Sequence, residues 1–254
     1  MKKSLILIIG LGALGLFAWF LLKQRSSSDF KKISENIIIV GTNAEFAPFT
    51  FVKNDQVVGF DIDLIKEVAK RLGKEIEIKD MPFDILIPEI QRGSIQVIAA
   101  GLTPTPKKEK EVRFSTCYFS SDPLTIISLA TNPLKSIAEL TGKDVIVNDG
   151  YTADFYMSEI KGPNLKRLPT AAAAFQALQS GRADAFVTAK STASPYFKQY
   201  GNKQFVITPI KNTEECYAIA VAPSYADLVP QINDILNAMM KDGTIDQLKK
   251  RWEL

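Results

Sequence analysis

From Ile37 to the end of the chain, short apolar runs of strand length alternate with segments whose apolar residues recur every three or four positions. That alternation predicts an α/β architecture, because strands buried on both faces need helices to cover them. Residues 37–40 are a continuous apolar run closed by Gly41, which reads as a buried strand. Over residues 61–72, Ile62, Ile65, Ala69 and Leu72 recur at helical spacing, with Asp61 placed to cap the start and Gly73 to end the helix. Residues 75–79 alternate as a strand, residues 84–92 predict a helix stopped by Gly93, and residues 96–100 predict the next buried strand.

The same grammar returns later in the chain. Gln91-Arg92-Gly93-Ser94-Ile95-Gln96-Val97 is matched by Gln179-Ser180-Gly181-Arg182-Ala183-Asp184-Ala185, in each case a helix end, a glycine turn and a strand start. Two lobes of similar build follow, each with a mostly parallel sheet flanked by helices. The first is expected to comprise residues 37–121 and 215–254, and the second residues 122–214. Strands are expected at 144–147, 185–187 and 205–207, residues 217–221 are apolar again, and helices are expected at 152–160, 170–179, 227–241 and 244–252. If the last helices pack on the first lobe, the chain crosses between lobes twice, and two crossings make a hinge.

Ahead of this body, Lys2 and Lys3 precede an unbroken apolar run over residues 5–22 that ends in Lys23, Gln24 and Arg25. Residues 1–25 therefore read as an export signal or a membrane anchor. The run is just long enough to span a bilayer and no small-x-small cleavage site follows it, which favours the uncleaved anchor. Residues 26–36 are polar and serine-rich and read as a linker. The 31 Lys and Arg residues nearly balance the 28 Asp and Glu residues, so no nucleic-acid footprint is present. The chain has no histidine, which excludes Ser-His and Cys-His triads and the commonest metal ligand. No cofactor or metal motif is visible. Cys117 and Cys216 lack metal-type spacing, leaving either one disulfide, which an exported location permits, or two inert thiols.

The segments Gly41-Thr42-Asn43-Ala44-Glu45-Phe46-Ala47-Pro48-Phe49, Val58-Gly59-Phe60-Asp61-Ile62-Asp63-Leu64 and Phe83-Asp84-Ile85-Leu86-Ile87-Pro88 occur in order. They are followed by Gly101-Leu102-Thr103-Pro104-Thr105, Phe114-Ser115, Asp242-Gly243-Thr244 and Lys250-Arg251-Trp252. Together they closely resemble the polar amino acid-binding family of periplasmic solute-binding proteins over essentially all of residues 37–254. The resemblance implies the two-lobed periplasmic-binding-protein fold, a small polar ligand, an amino acid, held between the lobes, and delivery to the membrane permease of an ABC transporter by a monomeric, non-enzymatic protein outside the cytoplasm. It also implies site residues. Phe46 and Phe83 correspond to an aromatic clamp, with core packing as the plain alternative; Asn43 to a contact with the ligand's far end; Gly101 and Thr103 to backbone and hydroxyl contacts. Glu45 is a candidate partner for a cationic ligand, with a solvated loop residue as the plainer alternative. Asn148-Asp149-Gly150-Tyr151-Thr152 joins a strand to a helix, so Thr152 faces the cleft from a helix start that attracts carboxylate, or simply punctuates the helix.

Two positions depart from the family pattern. Lys108 stands where relatives carry an arginine for the ligand carboxylate, which loses the bidentate fork. Ala189 stands where relatives carry an acid for the α-ammonium, and Asp149 is the nearest substitute by topology. The ligand is then an amino acid held differently, or a carboxylate without an ammonium. A ligand sensor, or an enzyme similar to cyclohexadienyl dehydratase using Glu45 or Asp149, remains as the alternative reading.

Overall fold

The computed structural model describes residues 36–200 and 203–254. Two five-stranded sheets organise two lobes. The first sheet runs Glu75–Asp80, Ile37–Thr42, Val97–Ile98, Ala220–Val221, Arg113–Phe114; the second runs Asn164–Leu168, Asp144–Asn148, Ala185–Ala189, Phe119–Leu129, Phe205–Tyr217. In both, the first three strands are parallel and the remaining two pairings are antiparallel. The parallel trios come from strand-helix-strand units, and the antiparallel strands are those flanking or making the passage between lobes.

The short sequence repeat is matched in space. Gln96 brackets Ile39 with a backbone bond of 2.9 Å and a side-chain bond of 2.7 Å, and Asp184 brackets Asp144 with two bonds of 2.9 Å. Each thus pins the start of its strand to the middle strand of its lobe's parallel trio. The glycines before them, Gly93 and Gly181, have φ of 80° and 67°, left-handed values that end the preceding helices.

Apolar residues at helical spacing bury both faces of each sheet. On one face of the first sheet, Leu64, Ile65 and Val68 of the helix Phe60–Arg71 pack with Ile232, Leu236 and Met239 of Leu228–Lys241 and Ile245 of Thr244–Trp252. The last two helices therefore return to the first lobe. On the other face, Leu86 and Ile90 of the helix Leu86–Arg92 pack on Ile98 and Ala220. Each fully buried aliphatic or aromatic side chain contributes about 1.5–3 kcal/mol. The second lobe repeats the arrangement, with Met157 on one face and Phe175, Leu178 and Phe205 on the other.

Asp61 does not cap its helix. The helix starts one residue earlier, because Phe60 is fully buried, and the N-cap is Gly59. Gly59 has φ of 136°, and a Cβ there would lie 2.1 Å from the Phe49 carbonyl oxygen, so only glycine lets the chain enter at this angle. The Asp61 carboxylate instead accepts a 2.6 Å bond from the Gly101 amide.

The chain leaves the first sheet after Phe114 and re-enters it at Ala220. Between these points Ser120 pairs with Cys216 and Phe119 with Tyr217, and the Cys117–Cys216 disulfide, with Cα atoms 5.7 Å apart, clamps the two passages together. Of the two alternatives for the cysteines, the bridge is present. The expected signal or anchor over residues 1–25, and all of the expected linker but residue 36, lie outside the described residues. Among the described residues no helix is long and apolar enough to cross a membrane.

Candidate functional site

The carboxyl ends of the parallel strands in the two lobes face each other, which is where open α/β sheets gather ligand-binding loops. Thr42 leads to Asn43, Ile98 to Gly101, Asn148 to Tyr151 and Thr152, and the last strand of the parallel trio ends at Ala189. A small three-stranded sheet, Glu45–Phe46, Thr50–Lys53 and Gln56–Val58, carries Phe46 to the same place.

An inner chamber of about 20 Å³ lies between the lobes. Phe46, Phe83, Ala100 and Gly101 line it from the first lobe, and Leu124, Tyr151, Thr152, Ala153, Thr188, Ala189, Thr192 and Glu215 from the second-sheet side. A larger cavity of about 360 Å³ shares Phe83 and is lined by Asn43, Glu45, Asp80, Asp84, Asp149 and Arg167, with Met81, Pro82, Leu168 and Pro169 completing its wall. Four of the sequence-derived site residues, Phe46, Phe83, Gly101 and Thr152, thus meet in the inner chamber. Asn43 and Asp149 line the larger cavity. Lys108 belongs to neither; it lines a separate pocket behind Phe83. Thr103 lines none of these spaces, and its carbonyl accepts a 3.3 Å bond from Lys108 Nζ.

Phe46 is both core and wall. Its ring stacks on Phe49 at 4.9 Å and meets Tyr217 edge-on at 5.8 Å, while its outer edge faces the chamber. Gly101, at φ of 59°, has no room for a Cβ, which would lie 2.2 Å from Phe46 Cε1. Glycine is therefore what lets the backbone lie against the ring. Asp61, fully buried behind this turn, is pushed up to about 7 by loss of solvent.

Contacts between the lobes close the cleft. Tyr151 Oη donates to Asn43 Oδ1 at 3.1 Å, and the Tyr151 ring lies 4.4 Å from that of Phe83. Lys107 and Lys108 place their ammonium groups 5.3 and 5.7 Å from the Phe155 ring centroid. Burial lowers Lys108 to about 8, with the negative charge of Glu215 opposing the shift.

Glu215 is the one carboxylate lining the inner chamber. Burial and then the nearby Asp122 carboxylate raise it to about 7, against the hydrogen bond from Thr152, the Lys108 charge and the Tyr217 hydroxyl. Asp122 itself is held in the hinge by the Ser191 amide at 3.0 Å and by the hydroxyls of Ser191 and Tyr217. Sequence reasoning singled out neither Glu215 nor Tyr151, Thr188 and Thr192. No local signal marked Glu215: the strand pairing shifts register between Glu215 and Cys216, so simple alternation back from Tyr217 does not tell which of Glu214 and Glu215 turns inward.

A pair of α/β lobes facing each other across a lined cleft and joined by two clamped passages defines a two-lobed ligand-binding protein. The chain belongs to the bacterial extracellular solute-binding proteins, family 3, whose model matches residues 38–254. It is 29% identical over 255 residues to the arginine-binding extracellular protein ArtP of Bacillus subtilis (strain 168), a match covering 99% of this chain and 98% of that protein. It is 34% identical over 203 residues to the ABC transporter glutamine-binding protein GlnH of the same organism, covering 78% of this chain and 73% of that one. Among solved structures, an ancestral arginine-binding protein bound to arginine superimposes with a TM-score of 0.81 at 40% identity, covering 85% of this chain and 98% of that chain.

Proposed function

We propose that this chain is the substrate-binding component of an ABC-type amino-acid importer, capturing one amino acid between its lobes outside the cytoplasm and presenting it to a membrane permease. The observation that carries this reading is the cleft between the lobes, in which the inner chamber, walled from both lobes and backed by Phe46, Gly101 and Thr152, shares Phe83 with the larger cavity of about 360 Å³. Relatives named for arginine and glutamine binding support the ligand class. In this reading residues 37–121 and 215–254 form the first lobe and residues 122–214 the second, the two passages act as the hinge, and the apolar residues 5–22 tether a monomer to the membrane. The protein binds its ligand and performs no chemistry on it.

A thermal-shift screen of the full-length chain against the twenty standard amino acids and small carboxylates tests the ligand class. A ligand at 100 times its dissociation constant adds about 2.7 kcal/mol of stability. Stabilisation by carboxylates lacking an amino group, with none by amino acids, would replace the ligand class; no stabilisation at all would overturn the function. Co-purification with a permease distinguishes import from sensing.

A further inference from the structure

We propose that Glu215, on the strand that forms one of the two passages between lobes, is the counter-charge that binds the primary ammonium group of the ligand. The proposal rests on the reading of the cleft as an amino-acid site. It starts from the size of the inner chamber, about 20 Å³, which has room for a group about as large as one water molecule. An ammonium head fits that space and the body of an amino acid does not.

The lining has the matching chemistry. Glu215 is 7% exposed and supplies the chamber's one carboxylate. The hydroxyls of Thr188 and Thr192, residues 1% and 3% exposed, have no hydrogen-bond partner within the protein, and both residues line the chamber. An ammonium presents three donors and no acceptor, so one carboxylate and two free hydroxyl oxygens satisfy it. The other polar groups of the lining are already engaged: the Thr152 hydroxyl bonds to Glu215, the Tyr151 hydroxyl donates to Asn43 and the Gly101 amide donates to Asp61. Ala189, also in the lining, offers neither charge nor hydrogen bond. Asp149 is set apart from this chamber in the larger cavity, so the acid suggested by chain topology is replaced by one brought in from the hinge.

Calorimetric titration of the full-length protein with L-glutamine, L-arginine and the other standard amino acids, and with glutaramate and 5-guanidinopentanoate as the analogues of the first two lacking the α-amino group, tests the assignment. In Glu215→Gln, which keeps the side-chain shape, affinity for the amino acid relative to its deaminated analogue is expected to fall at least about tenfold, or about 1.4 kcal/mol. Adding Ala189→Asp to Glu215→Gln, which restores a carboxylate to the same chamber from another wall, is expected to recover at least part of that preference and so to separate charge from fold. A wild-type protein that binds amino acids, with the preference unchanged in Glu215→Gln, overturns the role of Glu215 and leaves the function standing. A wild-type protein that binds none of the twenty overturns both.

Discussion

Phe46 and Phe83 line one chamber from very different settings, and alanine in place of each separates the two contributions. Phe46 is packed among Phe49, Tyr217 and Tyr151, so Phe46→Ala should destabilise the fold by about 3–5 kcal/mol, read from the denaturant midpoint. Phe83 is half-buried at the lobe boundary, so Phe83→Ala should cost about 1 kcal/mol or less while weakening ligand binding. Equal stability losses would show that Phe83 too is a core residue. The buried carboxyls give a pH signature. Asp61 and Glu215 rise from their ordinary values of 3.8 and 4.5 to about 7 in the folded protein. The fold binds these protons more tightly than the unfolded chain, so their stabilisation is complete below about pH 4 and is lost as pH rises through about 7. Lys108 acts at higher pH: lowered from 10.5 to about 8, it weakens the fold below about pH 8, and that deficit is relieved towards pH 10.5. The melting temperature should therefore fall between pH 5 and pH 8. Asp61→Asn, which keeps an oxygen for the Gly101 amide, should flatten part of that fall, and an unchanged slope would remove Asp61 from the account.

At the scale of elements, the two passages between lobes pair with shifts of register and are joined by a disulfide. The Cys117–Cys216 bond joins residues 99 apart in sequence and, in the chain-entropy account, is worth about 4.7 kcal/mol. Reduction, or paired serine substitution, should lower the unfolding midpoint accordingly while leaving the far-ultraviolet circular dichroism of the native state unchanged. Loss of the native spectrum on reduction would mean that the bridge is required for folding itself. Nearby, the helix Lys190–Tyr200 forms despite Pro195 inside it. Its start is fixed by the Ser191 amide and hydroxyl on Asp122, and Tyr196 stacks on Phe175 at 4.2 Å. Local propensity opposes this helix and packing decides it.

For the whole molecule, the closed arrangement is held by few contacts between lobes, among them the Tyr151–Asn43 hydrogen bond and the Tyr151–Phe83 ring contact. Tyr151→Phe removes one hydrogen bond, worth about 0.5–1.5 kcal/mol, and should weaken ligand affinity by roughly two- to tenfold with little change in stability, measured by calorimetry. Solution scattering should give a smaller radius of gyration for the ligand-saturated protein than for the free one. Superimposable curves at proven saturation would mean that the lobes do not separate between ligands.

The order of strands and helices was legible in the sequence because their signals are local: apolar runs of strand length, helical spacing in residues 61–72, and glycines at positive φ such as Gly93 and Gly181. The long strand Phe119–Leu129 was not, since Ser120, Ser121, Asp122 and Pro123 carry turn chemistry and gain strand geometry only by pairing with Phe205–Tyr217. Motif order carried Phe46, Phe83, Gly101 and Thr152 to one chamber because each sits at the end of a strand or the start of a helix, where chain direction alone fixes its place. Asn43 and Asp149 share that topology yet line a different cavity, and Lys108 lies behind a ring, because side-chain direction depends on neighbours distant in the chain. Glu215 is the clearest case of what tertiary structure alone decided. Its neighbour Glu214 is exposed while Glu215 is buried, and only the pairing of the two hinge strands across the clamped passages turns one acid of that pair inward to the chamber.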